Sequence, residues 1–367
     1  MNKGFSIYLD LVRFLAACLV YIYHSNQRLL VEEILPASNF GHSSVIVFFV
    51  LSGFVIAYVT DTKEYNWTSY WASRLSRVYS VALPAIVLTP VLDTVGRSLF
   101  PALYADYPFD QFVIRSLSSF FFTNEIWFIS ITSFSNVPYW SICYEIWYYI
   151  AFGILMFMPH KMAMALMILL AAALGPKVIL LAPVWGMGVV LYYWRRPTQL
   201  SVQASWWLLW GTSLAIVLFH YFGVSPAITD WLENLMGPEM HRELTFSKFF
   251  PADYILGVLV AANFAAMRNV AVRIERFFLV AERPIKTLAS YTFTLYLLHQ
   301  PLFLFWAAVL RGNPKGHVYW LATTILVAVS VWLIGYFTEN KRHAARRYLE
   351  KVLCRIDGML KVQRETT

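Results

Sequence analysis

The sequence predicts an all-α, polytopic transmembrane helical bundle of about ten spans. Of its 367 residues, 59% are hydrophobic and only 14% are charged, whereas a soluble domain carries about 25% charged residues. The mean hydropathy is +0.56. The chain also holds 14 Trp and 22 Tyr residues, the types that are enriched where helices cross the membrane–water boundary. Together these observations indicate residence in a membrane.

The spans follow from the apolar stretches, because a helix needs about 20 mostly apolar residues to cross a bilayer. The first stretch carries Asp10 and Arg13 in its middle and no small-residue cleavage site follows it, which indicates a retained span rather than a cleaved signal. The aromatic but interrupted segment 111–133 predicts a re-entrant or interfacial element. The expected spans are 5–25, 43–60, 74–95, 139–158, 161–175, 178–194, 204–223, 249–267, 287–310 and 317–338.

The basic residues predict the orientation. Most of the 29 Lys and Arg residues fall on one side of these spans, among them Arg195, Arg196 and the basic segment 339–367. Because such residues collect in cytoplasmic loops, we expect both termini to be cytoplasmic. The chain then divides into a transmembrane domain, 1–338, and a basic cytoplasmic tail, 339–367. The tail favours contact with lipid headgroups over nucleic-acid binding.

The first span carries an unusual set of polar residues. At 100° per residue, Asp10, Arg13, Ala17, Tyr21 and His24 fall within an arc of about 80°. Ionisable groups inside a membrane are costly and mark functional sites. The stripe predicts a polar channel facing the bundle interior, with His24 as general base because the pKa of histidine lies near working pH. The alternative is a structural Asp10–Arg13 ion pair with His24 at the membrane interface.

A second cluster lies at the start of the third span. Arg74 and Arg77 are three residues apart and share one helix face, where two guanidinium groups can bind phosphate oxygens. The alternative is that both residues only anchor the helix at the cytoplasmic surface.

Two further polar positions lie within apolar spans. Glu145 has Ser141 beside it and no basic residue within one turn, so it needs a partner from another span. Arg13 is a candidate for that partner. His299 lies in the middle of a late span, where a structural histidine and a catalytic one are both compatible with the pattern.

Five segments of the chain carry recognisable motifs: LDLVRFLAACLVYIYH, VIVFFVLSGFVIA, YWASRLSRVYSVALP, YWSICYEIWYY and LASYTFTLYLLHQPLF. In this order and across the whole chain, they resemble the motifs of the acyltransferase-3 family of membrane O-acyltransferases. Two departures from that pattern are visible. Leu11 stands where a glycine is usual, and the proline that usually follows soon after the second arginine is missing, since the first proline after Arg77 is Pro84.

The resemblance implies transfer of an acetyl or other short acyl group from a coenzyme A thioester to a glycan hydroxyl, at the bacterial cytoplasmic (inner) membrane. Acyl-CoA is then a co-substrate, with no permanently bound cofactor and no metal. The other expected partners are a glycan or lipid-linked saccharide and membrane lipids, not nucleic acid, and a homo-oligomer is left open. The resemblance implies that His24 is the catalytic histidine, that Arg74 and Arg77 bind the donor, and that Arg13, Ser52, Gly53 and Glu145 line the site. Taking the polar stripe and this reaction together, we further expect Glu145 and Asp10 to be catalytic with His24 and Arg13 to help bind the donor. The other side chains expected to line the site are Tyr21, Phe54, Ser141 and His299.

A transporter or flippase of a lipid-linked glycan is the alternative function. It also explains many spans, charges inside the membrane and aromatic outer loops. The spans show no paired halves of the kind that many transporters have.

Overall fold

The computed structural model describes residues 1–29, 35, 37–194, 199–313 and 316–366, with side chains up to Arg355. Arg195 and Arg196, which support the predicted orientation, lie outside the described residues.

The described chain is helical, and its only β-structure is an isolated bridge between Ser133 and Asn136. The all-α prediction is therefore confirmed. The helices are α1 Lys3–Leu29, α2 Gly41–Lys63, α3 Trp67–Leu99, α4 Phe112–Phe120, α5 Trp140–Phe157, α6 His160–Leu174, α7 Pro176–Tyr193, α8 Val202–Tyr221, α9 Val224–Met236, α10 Pro238–Glu243, α11 Phe250–Val270, α12 Glu275–Val280, α13 Glu282–Ala289, α14 Thr292–Leu310, α15 His317–Phe337 and α16 Arg342–Thr366.

Nine helical stretches within the described residues are long and apolar enough to cross a membrane, and α6 is a shorter apolar helix of 15 residues. Met1 and Arg342 line one and the same cavity, so the first and last spans bring the two chain ends to one face. An even number of crossings brings both ends to one face, and the nine candidate spans of the described chain together with α6 number ten. We call the face that carries Met1, Lys63, Lys286 and Arg342 the terminal face, and the opposite one the loop face.

Segment 111–133 does not cross the bundle. Its only helix in the described chain, α4, has nine residues, about 13 Å at 1.5 Å per residue. A buried ion pair anchors the segment to α7: Lys177 Nζ lies 2.6 Å from Glu125 Oε2 and donates to the carbonyl of Ile129 at 2.7 Å. Burial raises the pKa of Glu125 and the charge of Lys177 opposes that rise.

Close contact between α2 and α7 fixes the position of the second-span motif. A Cβ on Gly53 would lie 2.1 Å from the carbonyl oxygen of Trp185, and a Cβ on Gly188 would lie 2.0 Å from that of Val50. Only glycine allows the two backbones to approach this closely. The contact holds Ser52 at the inner surface of the bundle, within 3.3 Å of the Trp185 indole nitrogen.

The outer surface of the bundle is apolar. On α8, Trp207 is 72% exposed and Trp210 is 65% exposed, and on α6, Ile168 is 69% exposed. Large apolar groups exposed along whole helices are costly in water and favourable in lipid. The exposed surface therefore agrees with a multi-pass membrane protein.

Candidate active site

A cavity of about 550 Å³ opens at the terminal face and runs inward between α1, α2, α3, α5 and α14. This volume is typical of a small-molecule site. Its charged and histidine side chains are Asp10, Arg13, Lys63, Arg74, Arg77, Glu145, Lys286, Glu339, Arg342, His343 and Arg346, and Ser52, Ser141 and Tyr296 are among its neutral polar ones.

Arg13 pairs within its own helix. Its Nη1 lies 3.2 Å from Asp10 Oδ1, and its Nε is buried without a hydrogen-bond partner. The suggested Arg13–Glu145 pair is therefore wrong, because Asp10 lies one turn away on the same face of α1. Both Asp10 and Arg13 line the cavity, as the stripe on the first span predicts.

Glu145 accepts hydrogen bonds from two hydroxyl groups. Ser52 Oγ donates to its Oε1 at 2.5 Å, and the hydroxyl of Tyr149 donates to the same oxygen. The basic side chain that interacts with Glu145 electrostatically is Arg77. The carboxylate is thus held in the wall of the cavity by α2, α3 and α5 together.

Arg74 and Arg77 are not equivalent, although they share a helix face. Arg74 is 3% exposed and forms a bidentate pair with Glu64, at 2.9 Å to Oε1 and 2.7 Å to Oε2. Its guanidinium also lies over the ring of Tyr70, 4.7 Å from the centroid. Glu64 therefore occupies the fork that the sequence pattern assigns to phosphate, and Arg77 is the member of the pair with no carboxylate hydrogen-bonded to it among the described residues.

His24 does not line this cavity. Its ring lies 5.2 Å, centroid to centroid, from the ring of His299 on α14. His299 Nδ1 contacts the carbonyl oxygen of Tyr296 at 2.8 Å, so this nitrogen carries the proton, since a carbonyl only accepts. The Nε2 of His299 is then an unprotonated acceptor, and it is buried with no partner in the described chain.

The cavity and the histidine pair are separated by Tyr296. This residue lines the cavity, its hydroxyl lies 2.5 Å from Ser141 Oγ, and its ring lies 6.4 Å from that of His299. Ala17 is fully buried and does not line the cavity. The prediction of an open channel along α1 is therefore wrong in this structure, because the cavity leaves α1 beyond Arg13 and ends against α14.

The other expected lining residues are divided between cavity and packing. Ser52 and Ser141 line the cavity, whereas Gly53 packs against α7. Phe54 is 1% exposed and lies edge-on to the ring of Phe5. Tyr21 also lies outside the cavity, where its hydroxyl is 2.7 Å from Thr324 Oγ1 and its ring contacts that of His299.

Comparison with known proteins identifies a family for this chain. A family model described as an acyltransferase domain, that of the acyltransferase-3 family, matches residues 6–339. The chain belongs to the acyltransferase-3 family. "Acyltransferase MdmB" of Streptomyces mycarofaciens is 21% identical to this acyltransferase-3 protein over 341 residues, which cover 89% of the chain and 76% of that relative. No solved structure matches.

Two features of this acyltransferase-3 protein were not anticipated from the sequence. Glu64 lies in the loop between α2 and α3, and its pairing with Arg74 depends on how those helices pack. Arg342 and Arg346 line the cavity but belong to the segment that the basic-residue pattern assigns to lipid contact. A local signal for them was available, since they are four residues apart and share one helix face.

Proposed function

We propose that this membrane acyltransferase transfers an acetyl or other short acyl group from a coenzyme A thioester to a hydroxyl of an exported or cell-surface glycan. His24 is the general base of the reaction. The observation that supports this proposal is the cavity itself: it has a basic mouth at the terminal face, and Tyr296 lies between its inner end and the His24–His299 pair. We place the terminal face in the cytoplasm of a bacterial cell, at its inner membrane.

The donor enters from the terminal face. Coenzyme A carries phosphate groups, and Lys63, Lys286 and Arg77 line the outer part of its route. A charge-assisted hydrogen bond contributes about 1.5–3 kcal/mol. Arg77 has the larger role of the two arginines in the R-x-x-R segment, because Glu64 already satisfies Arg74. Arg13, whose Nε lacks a partner, lies further along the same cavity.

The acceptor hydroxyl approaches His24 from the loop face. In the proposed reaction, one ring N–H of His24 donates to the Nε2 of His299, which has no hydrogen-bond partner within the described part of the chain. The other ring nitrogen of His24 then takes the proton of the hydroxyl. The hydroxyl oxygen bonds to the thioester carbonyl carbon as the carbon–sulfur bond breaks. The coenzyme A thiolate leaves and takes the proton from His24, so the ester and the free thiol are the products.

Tyr296 is the side chain best placed to stabilise the oxyanion that forms on the carbonyl oxygen. Its hydroxyl faces the cavity and its ring contacts that of His299. To donate to the oxyanion, it exchanges its hydrogen bond with Ser141 for one with the substrate. Glu145 and Asp10 hold the surrounding hydroxyl and guanidinium groups in position.

Membership of an acyltransferase family favours this function over a glycan transporter. A direct test is the unfolding midpoint of the purified protein in lipid nanodiscs, with and without acetyl-CoA. Acetyl-CoA should raise the midpoint, because a ligand that binds only the folded protein stabilises it. A dephosphorylated pantetheine thioester serves as the control and should have a smaller effect. An unchanged midpoint with millimolar acetyl-CoA would contradict the proposed donor.

A further inference from the structure

The last helix, α16, is fixed at the mouth of the cavity. Glu339, just before it, accepts hydrogen bonds from the backbone nitrogen of Thr294 at 3.0 Å and from its Oγ1 at 2.9 Å. Further along, α16 packs against α3, and Cys354 Sγ lies 3.9 Å from Thr68 Oγ1. The first turns of α16 are therefore held against the bundle at both ends.

These first turns present basic groups to the cavity. Arg342, His343 and Arg346 all line it, although the family match ends at residue 339. Arg342 is half-buried and interacts electrostatically with Arg13 and Arg77. Three guanidinium groups from α1, α3 and α16 thus surround one end of a single cavity.

The cavity carries more positive than negative charge. Seven Lys and Arg residues line it against three Asp and Glu residues, and the charge of Arg74 is already matched by Glu64. Like charges gathered in a partly buried site repel one another, and an anion between them removes that cost. The excess positive charge therefore indicates a ligand with several negative charges.

We propose that α16 is part of the donor site, and that Arg342 and Arg346 bind phosphate groups of the acyl-CoA. This inference rests on the proposed function, which names the donor. Arg342 interacts electrostatically with Arg77 and binds the diphosphate. Arg346 is 34% exposed at the mouth, and its bond to Glu350 is long, at 3.4 Å. It binds the phosphate on the ribose.

Lipid headgroups offer the same phosphate chemistry as coenzyme A. The direction in which the α16 side chains point distinguishes residues that can bind coenzyme A from residues that can contact lipid headgroups. Arg342 and Arg346 line the cavity, whereas Arg347 is exposed on another face of the helix. Arg347 is therefore free to contact headgroups and supplies a control with the same charge, the same helix and nearly the same position in the chain.

The test measures the binding of coenzyme A to the full-length protein in nanodiscs. Arg342→Ala and Arg346→Ala should each weaken binding by about tenfold or more, the size expected for one lost charge-assisted bond. Arg347→Ala should bind as the wild type does. Arg346→Ala should also lose the preference for coenzyme A over dephospho-coenzyme A, which lacks the ribose phosphate. If Arg342→Ala impairs folding, Arg346→Ala alone decides the outcome. The Arg346 side chain is partly exposed at the mouth, so its removal should not disturb the fold.

The variants also separate the two proposals. If Arg342→Ala and Arg346→Ala bind coenzyme A as tightly as the wild type while Arg77→Ala binds it weakly, the role of α16 is wrong and the proposed donor stands. If Arg77→Ala binds it normally as well, the proposed donor site is wrong. Normal coenzyme A binding combined with reduced binding of Arg342→Ala and Arg346→Ala to anionic lipid vesicles would assign α16 to headgroups and overturn the inference.

Discussion

The rings of His24 and His299 lie 5.2 Å apart, centroid to centroid, and the two residues come from α1 and α14, at opposite ends of the sequence. The carbonyl oxygen of Tyr296 holds the Nδ1 proton of His299, so the Nε2 that remains is an acceptor. A histidine with one fixed acceptor beside it is confined to one tautomer. In the mechanism proposed above, His299 is a positioning residue that selects which nitrogen of His24 takes a proton.

Replacing His299 should lower turnover without weakening donor binding. His299→Gln should reduce kcat by about tenfold to a hundredfold, a part of the 10²–10⁴-fold that general-base catalysis contributes, and should change the shape of the pH profile of kcat. The apparent affinity for acetyl-CoA should stay as in the wild type. His160→Ala, at an exposed position, is the control. A lower affinity for acetyl-CoA with unchanged kcat would contradict a positioning role.

Substitution of Arg77 should impair donor binding, whereas substitution of Arg74 should impair the stability of the fold. Arg77→Ala should weaken acetyl-CoA binding by about tenfold or more and leave the unfolding midpoint near that of the wild type. Arg74→Ala should instead destabilise the fold by about 3–5 kcal/mol, because it leaves Glu64 buried and unpaired. Thermal unfolding in detergent measures this difference.

A double variant checks the cause of the Arg74 effect. Arg74→Met combined with Glu64→Gln should recover part of the lost stability, since no lone charge remains in the interior. Equal stability of Arg74→Ala and the wild type would show that the Arg74–Glu64 ion pair contributes little to the free energy of unfolding.

The Glu125–Lys177 pair predicts a pH-dependent defect. Burial already raises the pKa of Glu125, and Lys177→Met removes the charge that opposes this rise. When the pKa of a carboxyl is higher in the folded than in the unfolded chain, the folded protein loses stability as the pH rises above the pKa in the unfolded chain, about 4.3 for Glu. The stability of Lys177→Met relative to the wild type should therefore be lower at about pH 8 than at about pH 5.

The control for that experiment is Lys161→Met, at an exposed position on α6. It should follow the wild type at both pH values in thermal unfolding. A Lys177→Met defect of the same size at both would mean that packing of the Lys177 side chain, not the charge on Glu125, is what the substitution removes.

Tyr296 should be required for chemistry more than for binding. Tyr296→Phe removes one hydrogen-bond donor from the proposed oxyanion site, a loss that costs about 10²–10³ in kcat in other acyl-transfer enzymes. Ser141→Ala removes only its resting partner and should have a smaller effect. Steady-state kinetics with acetyl-CoA compare the two, and an equal loss in both would contradict an oxyanion role for Tyr296.

Part of this site could be predicted from the sequence, because a charge inside a membrane is costly unless it faces the interior. That reasoning places Asp10 and Arg13 on the inner face of α1, and both line the cavity. It also states that Glu145 needs partners from another span, and Ser52 on α2 is one of them. The first conclusion combines the cost of a membrane charge with helical periodicity, and the second needs that cost alone.

The pairings between helices could not be predicted in the same way. Periodicity gives the face of a helix but not the helix that packs against it. Glu64 pairs with Arg74, and α16 turns back onto α3, only once the bundle has formed. The open channel expected beside Ala17 failed for the same reason: a small residue on an inner face leaves space only if no neighbouring side chain fills it, and here Ala17 is fully buried.

Single-turnover transfer with radiolabelled acetyl-CoA tests whether His24 is the base of a direct acyl transfer. The wild type and His24→Ala are compared in nanodiscs, with a cell-envelope glycan fraction as acceptor, and coenzyme A release and label on the glycan are followed. Both proteins should bind acetyl-CoA equally well, while His24→Ala should transfer the acetyl group at least about a hundredfold more slowly. Transfer by His24→Ala at the wild-type rate, or label that accumulates on Ser52 of the protein, would contradict direct transfer with His24 as the base.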